Sequence, residues 1–146
     1  MLVLGHVGLN VTELDRSIQF YKEVLGFTLR MKSEEPGRKF AFLGDDQVNR
    51  VTLWEQSEGS FSKQTPGLHH LAFEVESVEI IQAYEARLKE HGVKFIYNGI
   101  TAHAEGGDSG GIFFEDPDGI RLEIYVRQGI GGHTNNVAHG RACGFF

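Results

Sequence analysis

The sequence predicts an α+β fold made of one β-α-β-β-β unit written twice, and three observations predict it. The stretches "GHVGLNV" and "LHHLAFEV" alternate apolar and polar residues in the same way, each with a histidine just ahead of the alternation. Each is followed by a segment of helical period, "TELDRSIQFYKEVLGF" in one case and "SVEIIQAYEARLKEHG" in the other. Each helix is then followed by short alternating runs separated by turn residues.

In chain order, "GHVGLNV" reads as a half-buried strand. Thr12 or Asp15 can cap the helix behind it. Ile18, Tyr21, Val24 and Leu25 form its apolar stripe, and Gly26 stops it. Three strands follow, "FTLRMKSE", "KFAFLG" and "RVTLWEQ", with "PG" and "GDD" as punctuation. The polar, Gly/Ser-rich "SEGSFSKQTPG" is the connector. The order then repeats with "LHHLAFEV", the second helix, "VKFIYNG", "GGIFFED", the turn "PDG" and "IRLEIYV". One such unit buries its sheet and helix poorly alone, so the two are expected to pack with their sheets curled around a shared concavity. The expected organisation is one domain over 1–128, with modules at 3–56 and 68–127, followed by a Gly-rich tail at 129–146 in which Phe145 and Phe146 are candidate anchors.

Composition narrows the function classes. The 146 residues carry a formal net charge of -6 and no basic run beyond a dipeptide, which argues against nucleic acid or an anionic membrane as partner. The N-terminal stretch has no leader pattern, and no apolar run approaches the roughly 20 residues of a membrane span. The single cysteine, Cys143, excludes an internal disulfide and reads as an inert thiol rather than a nucleophile. The expectation is a soluble, cytoplasmic protein.

Strand parity sorts the side chains. Val7, Leu9, Val11, Val51, Leu53, Leu71, Phe73, Leu122, Ile124 and Val126 take the helix-facing side. His6, Asn10, Arg50, Thr52, Trp54, His70, Glu74, Arg121, Glu123 and Tyr125 take the other, where Gly8 and Ala72 leave room. That face is either an ordinary solvated sheet surface or the lining of a site. His69 has the wrong parity to join His70 and is expected to border the core.

"HVGLNVTELDRSIQFYKEVLGF", "HHLAFEV" and above all "FFEDPDGIRLEIY" resemble the vicinal oxygen chelate superfamily, over residues 3–127. That group includes glyoxalase I, extradiol dioxygenases, fosfomycin-resistance enzymes and bleomycin-binding proteins. The resemblance implies paired β-α-β-β-β modules forming curled mixed sheets around a metal-binding cavity, often in a homodimer. It implies His6, His70 and Glu123 as ligands of one divalent ion, a set with open positions for a small-molecule substrate. Fe(II) or Mn(II) is the favoured ion, with Ni(II) or Zn(II) as alternatives.

The chain departs from the branches of this group in different ways. Glyoxalase I adds a glutamate on the fourth strand, where this chain has Thr52; Glu55 lies three residues on with the opposite parity. The dioxygenase branch commonly has a tyrosine where this chain has Phe113. His103, in "ITAHAEGGDSGG", is either an acid/base residue or a solvated loop histidine. Arg50 and Arg121 suit an anionic substrate, although Arg121 can instead pair with Glu74. Trp54 and Tyr125 either stack on a planar substrate or close the cavity floor. The expected function is a metal-dependent enzyme, a dioxygenase-like oxygenase or lyase. Glu123 and His103 would be catalytic, and Asn10, Arg50, Thr52, Trp54, Arg121 and Tyr125 would bind substrate. The alternatives are a glyoxalase-like isomerase, a fosfomycin-resistance-like transferase, and a non-enzymatic protein that sequesters an antibiotic or metabolite.

Overall fold

The computed structural model describes residues 1–134 and 136–137 and resolves into two compact units, Met1–Phe61 and Ser62–Phe146. Phe145, Phe146 and Cys143 lie outside the described residues. Among the described residues no helix is long and apolar enough to cross a membrane.

The first unit runs β1 (Val7–Val11), α1 (Leu14–Gln19), a π-helical turn (Phe20–Val24), β2 (Thr28–Glu35), β3 (Arg38–Gly44) and β4 (Asn49–Glu55). Its sheet has the order β1-β4-β3-β2, with β1 parallel to β4 and the other neighbours antiparallel. The predicted alternation holds on the helix side: Leu9, Val11, Ala41, Leu43, Val51 and Leu53 are buried against Leu14, Ile18, Tyr21 and Val24 of the helical segment.

The helix is not the uniform one its period predicts. It widens after Gln19, where Leu25 N–H reaches Phe20 O (3.4 Å) and Phe27 N–H reaches Tyr21 O (3.0 Å). The wider turn buries the consecutive Phe20 and Tyr21 together, edge to face with ring centroids 5.3 Å apart. Gly26 closes the segment at φ 79, its N–H on Lys22 O (3.0 Å).

Neither expected cap closes the N-terminus. Glu13 is the cap position and makes no side-chain cap bond, and Thr12 Oγ1 accepts from the Arg16 guanidinium (2.9 Å). Glu55, from the end of β4, supplies the missing acceptor: Leu14 N–H donates to its Oε2 (2.8 Å), and Lys39 Nζ holds Oε1 (3.0 Å). The Leu14 bond first, then Lys39, lowers the Glu55 pKa from its ordinary 4.5. A carboxylate on an orphan helix N–H is worth about 1 kcal/mol, so Glu55→Gln is expected to cost roughly that amount at neutral pH. Because the folded pKa is depressed, this contribution is complete above pH 4.5 and fades as pH falls through the lowered value. Denaturation of wild type and Glu55→Gln should therefore converge in acid. An equal gap at every pH would refute the assignment.

The second unit runs β5 (Leu71–Glu74), α2 (Val78–Glu90), β6 (Thr101–Ala102), β7 (Gly110–Glu115), β8 (Arg121–Val126) and β9 (Asn136–Val137). The sheet order is β5-β8-β7-β6-β9, with β5 parallel to β8, β7 antiparallel to both its neighbours, and β6 parallel to β9. Both units are thus mixed sheets carrying helix, as the α+β reading expects. In both, the first strand lies parallel to the last strand of its module.

The predicted strand "VKFIYNG" is split. Phe95 bridges Phe114, with Ile96 N–H on Phe113 O (2.8 Å) and Glu115 N–H on Lys94 O (3.0 Å). Gly99, at φ 77, then turns the chain before the same edge resumes as β6. Ile130, fully buried, donates its N–H to Asp108 O (3.3 Å), so the segment after β8 folds back onto this unit.

Candidate metal and acid/base site

The hairpin "DPDG" aims β8. Asp116 Oδ1 accepts from Asp118 N–H and Ile120 N–H (both 2.9 Å), and Asp116 N–H returns to Ile120 O (2.9 Å). These bonds fix the register Phe113↔Glu123 between β7 and β8, and β5, parallel on the other side, sets Ala72 opposite Glu123. Glu123 therefore sits on the central strand of the three, beside the small Ala72, and is only 1 % exposed. Charges so deeply buried are rare unless paired.

Its partners are two imidazoles. His103 Nε2 contacts Glu123 Oε1 in a short hydrogen bond, and His70 Nε2 lies 3.5 Å from Oε2. Each ring is tied on its other nitrogen: His103 Nδ1 to Ser109 Oγ (2.8 Å), and His70 Nδ1 to His69 Nδ1 (2.8 Å). Burial lowers the His70 pKa from its ordinary 6.5, and the Glu123 carboxylate opposes that shift. The ring is thereby biased toward the neutral form a metal requires. Tyr125 lies tilted over His103, with centroids 5.6 Å apart, and its hydroxyl donates to Glu74 Oε2 (3.4 Å). Burial first, then the charge of Glu74, raises the Tyr125 pKa.

The other expected site residues divide between the two units. Thr52, Trp54 and Asn10 sit together in the first unit. Trp54 Nε1–H donates to Thr52 Oγ1 (3.2 Å), and Asn10 stands opposite Trp54 in the register. Thr52 is also opposite Gly8, as Glu123 is opposite Ala72, so Thr52 occupies the place in its module that Glu123 occupies in the other. His6 is exposed just ahead of β1, as His70 stands ahead of β5. Arg50 instead forks onto Asp45, with Nε at 3.0 Å and an Nη at 2.9 Å from Oδ2. Arg121 is buried at the start of β8, and Glu74 pairs with Arg127 (2.8 Å) rather than with Arg121.

His69 does not border the core. It is exposed and meets His70 edge to face at 5.1 Å. Regular pairing begins only at Leu71, so strand parity does not govern residues 69–70.

Three contributors went unseen in the sequence. Ser109 binds His103 from a Gly-rich loop with no period. Tyr97 packs edge to face on Phe113 at 5.4 Å, in the segment where the strand is split. Phe40 stacks on Trp54 at 4.9 Å; its alternation with Phe42 along β3 was the available signal.

The donor chemistry of the second unit, one buried carboxylate and imidazole nitrogens whose far sides are anchored, fits a divalent ion. The side chains are arranged as a hydrogen-bonded pair with His70 alongside. Among the described residues no three His, Cys, Asp or Glu groups converge as a ready cage.

Comparison with known proteins agrees with this architecture. The catechol-2,3-dioxygenase of Bacillus subtilis is 27% identical over 129 residues, covering 84% of this chain but only 41% of the dioxygenase's length. The lactoylglutathione lyase of Haemophilus influenzae is 34% identical over 127 residues, covering 82% of this chain and 88% of that protein. The crystal structure of a glyoxylase/bleomycin resistance protein/dioxygenase domain from Frankia sp. EAN1pec superposes with a TM-score of 0.73 at 27% identity, covering 86% of this chain and 98% of that one. The family model for the Glyoxalase/Bleomycin resistance protein/Dioxygenase superfamily matches residues 3–124, and with the duplicated mixed sheets in hand the chain belongs to that superfamily.

Proposed function

We propose that this protein is a divalent-metal-dependent enzyme acting on a small substrate that chelates the ion through two neighbouring oxygens, with oxygenase or ring-cleaving chemistry ahead of isomerisation. The observation that carries the proposal is the buried Glu123 carboxylate with the His70 and His103 Nε2 atoms turned to its two oxygens. His70 and Glu123 are two of the proposed ligands. His6 is the third, on its sequence equivalence to His70. When bound, Fe(II) or Mn(II) would supply Lewis acidity and, for iron, access to oxygen chemistry.

The chain's own residues do the rest. His103, held against Glu123, takes or gives a proton at Nε2. Tyr125 lies tilted against its ring and limits the directions it can turn. Asn10, Thr52, Trp54 and Arg121 are the proposed substrate contacts, whereas Arg50, engaged by Asp45, would have to leave that pair to join them. The preference over glyoxalase chemistry rests on the fourth strand. Thr52 stands at the place equivalent to Glu123, and Glu55 is drawn onto the α1 N-terminus and Lys39.

We also propose a cytoplasmic homodimer. Met1, Leu2, Val3 and Leu4 present four successive apolar side chains at 76–118% exposure, a segment suited to burial against a second copy.

The test loads the purified protein with Fe(II), Mn(II), Ni(II) or Zn(II). Bound metal is measured, then oxygen uptake with catechols and isomerisation of a hemithioacetal. Uptake with Fe(II) or Mn(II), reduced by about 10²-fold or more in His103→Gln, is the expected result. Failure to bind any of the four ions, or isomerisation without uptake, sinks the proposal. Sedimentation of the same sample as a monomer refutes the dimer.

A further inference from the structure

We infer that Ser109 is a positioning residue that holds the His103 ring with Nδ1–H donated to its hydroxyl, leaving Nε2 turned to Glu123. The inference rests on the proposed role of His103, and its starting point is a count of protons. Ser109 Oγ lies 2.8 Å from His103 Nδ1 and 3.0 Å from the Val126 carbonyl oxygen. The hydroxyl has one hydrogen, and a carbonyl oxygen has none to give.

If that hydrogen pointed at Nδ1, the Oγ and Val126 oxygens would face each other at 3.0 Å as two acceptors. Donation to Val126 removes the conflict and makes His103 Nδ1 the donor. The chain of bonds is then His103 Nδ1–H to Ser109 Oγ–H to the Val126 carbonyl, and on the ring's other side Nε2–H donates to the Glu123 carboxylate, which has no proton of its own to give.

Its anchor is what makes the arrangement useful. Val126 ends β8, the strand that carries Glu123, and Ser109 immediately precedes β7, the neighbour of that strand. The ring is therefore tied at Nδ1 to the backbone of the strand whose carboxylate it meets at Nε2. Rotation about the ring's bond to Cβ, which would put Cδ2 and Cε1 where Nδ1 and Nε2 stand, breaks both ties at once. Imidazoles at metal sites are commonly oriented by a bond to the nitrogen away from the chemistry, and here a serine fills that place.

The experiment uses the full chain without added metal. Long-range nitrogen–proton NMR spectra, with the His103 signals assigned by their loss in His103→Gln, report which ring nitrogen bears a proton. Wild type and Ser109→Thr, which keeps the hydroxyl, should show an exchange-protected Nδ1–H at low field. Ser109→Ala should lose that protected signal while its other imidazole resonances stay in place. An unprotonated Nδ1 in wild type overturns the inference without any variant, and so does a protected Nδ1–H that survives in Ser109→Ala. The result does not depend on turnover. A protected Nδ1–H in a protein that binds none of the four ions would leave Ser109 assigned and remove the metal-enzyme reading.

Discussion

Gly111→Ala is expected to destabilise the second unit by about 4 kcal/mol or more, among the larger effects of single substitutions. A Cβ built on Gly111 would lie 2.0 Å from the Ile124 carbonyl oxygen, 2.8 Å from its carbon and 2.7 Å from Tyr125 Cα. All three are backbone atoms of the paired strand, so no side-chain rotation relieves the overlap and β7 and β8 must move apart. Ordinary overpacking costs about 1–3 kcal/mol because neighbouring side chains can give, and here they cannot. A fall in Tm of roughly 10 °C is the corresponding observable. Gly5→Ala is the control: nothing lies within 4 Å of its Cβ, and its stability should stay within about 0.5 kcal/mol of wild type. Equal denaturation midpoints for Gly111→Ala and Gly5→Ala would show that the two strands do not approach this closely. The consequence reaches the site, because Ile112, Phe113 and Phe114 pair with Ile124, Glu123 and Leu122 directly beyond this contact.

That contact also shows where sequence reading stops. The duplicated order, the helix-facing side of each strand and the Asp116–Gly119 hairpin were legible because each is written in local period or turn chemistry. Partners distant in sequence were not. Parity correctly turned Glu55 from the polar face of β4, yet nothing local indicates that it caps Leu14, 41 residues away. The segment 93–99 alternates well enough to predict a strand, but whether it pairs depends on β7 and on the turn at Gly99. His103 could be singled out as a histidine in a polar loop. Its meaning comes from Ser109, Val126 and Glu123, which only the folded sheet assembles. The polar face was predicted as a set of residue types, and burial separated its members. Thr52, Arg121 and Glu123 are inside, and Arg50 is outside on Asp45.

Glu123→Gln should separate folding from metal binding at this site. The glutamine keeps the volume and one acceptor, and its amide donates to an imidazole nitrogen where the carboxylate can only accept. In the wild type the carboxylate accepts from Nε2–H; in the variant, with Nδ1–H of His103 given to Ser109, the amide can donate to a bare Nε2 instead. The metal-free variant should therefore remain within about 1 kcal/mol of wild type. Glu123→Leu removes the acceptor that faces both Nε2 atoms and should cost about 1–3 kcal/mol. Metal binding should respond differently. Gln offers no charge to a divalent ion, so both variants should lose more than the roughly 10–100-fold in affinity that removing an outer partner of a ligand costs. Turnover should fall with it. Bound metal measured by elemental analysis beside a denaturation curve gives both quantities from one preparation. Wild-type metal content in Glu123→Gln would sink the ligand assignment. A large loss of stability in Glu123→Gln without loss of metal would instead make the carboxylate a structural partner of the two histidines.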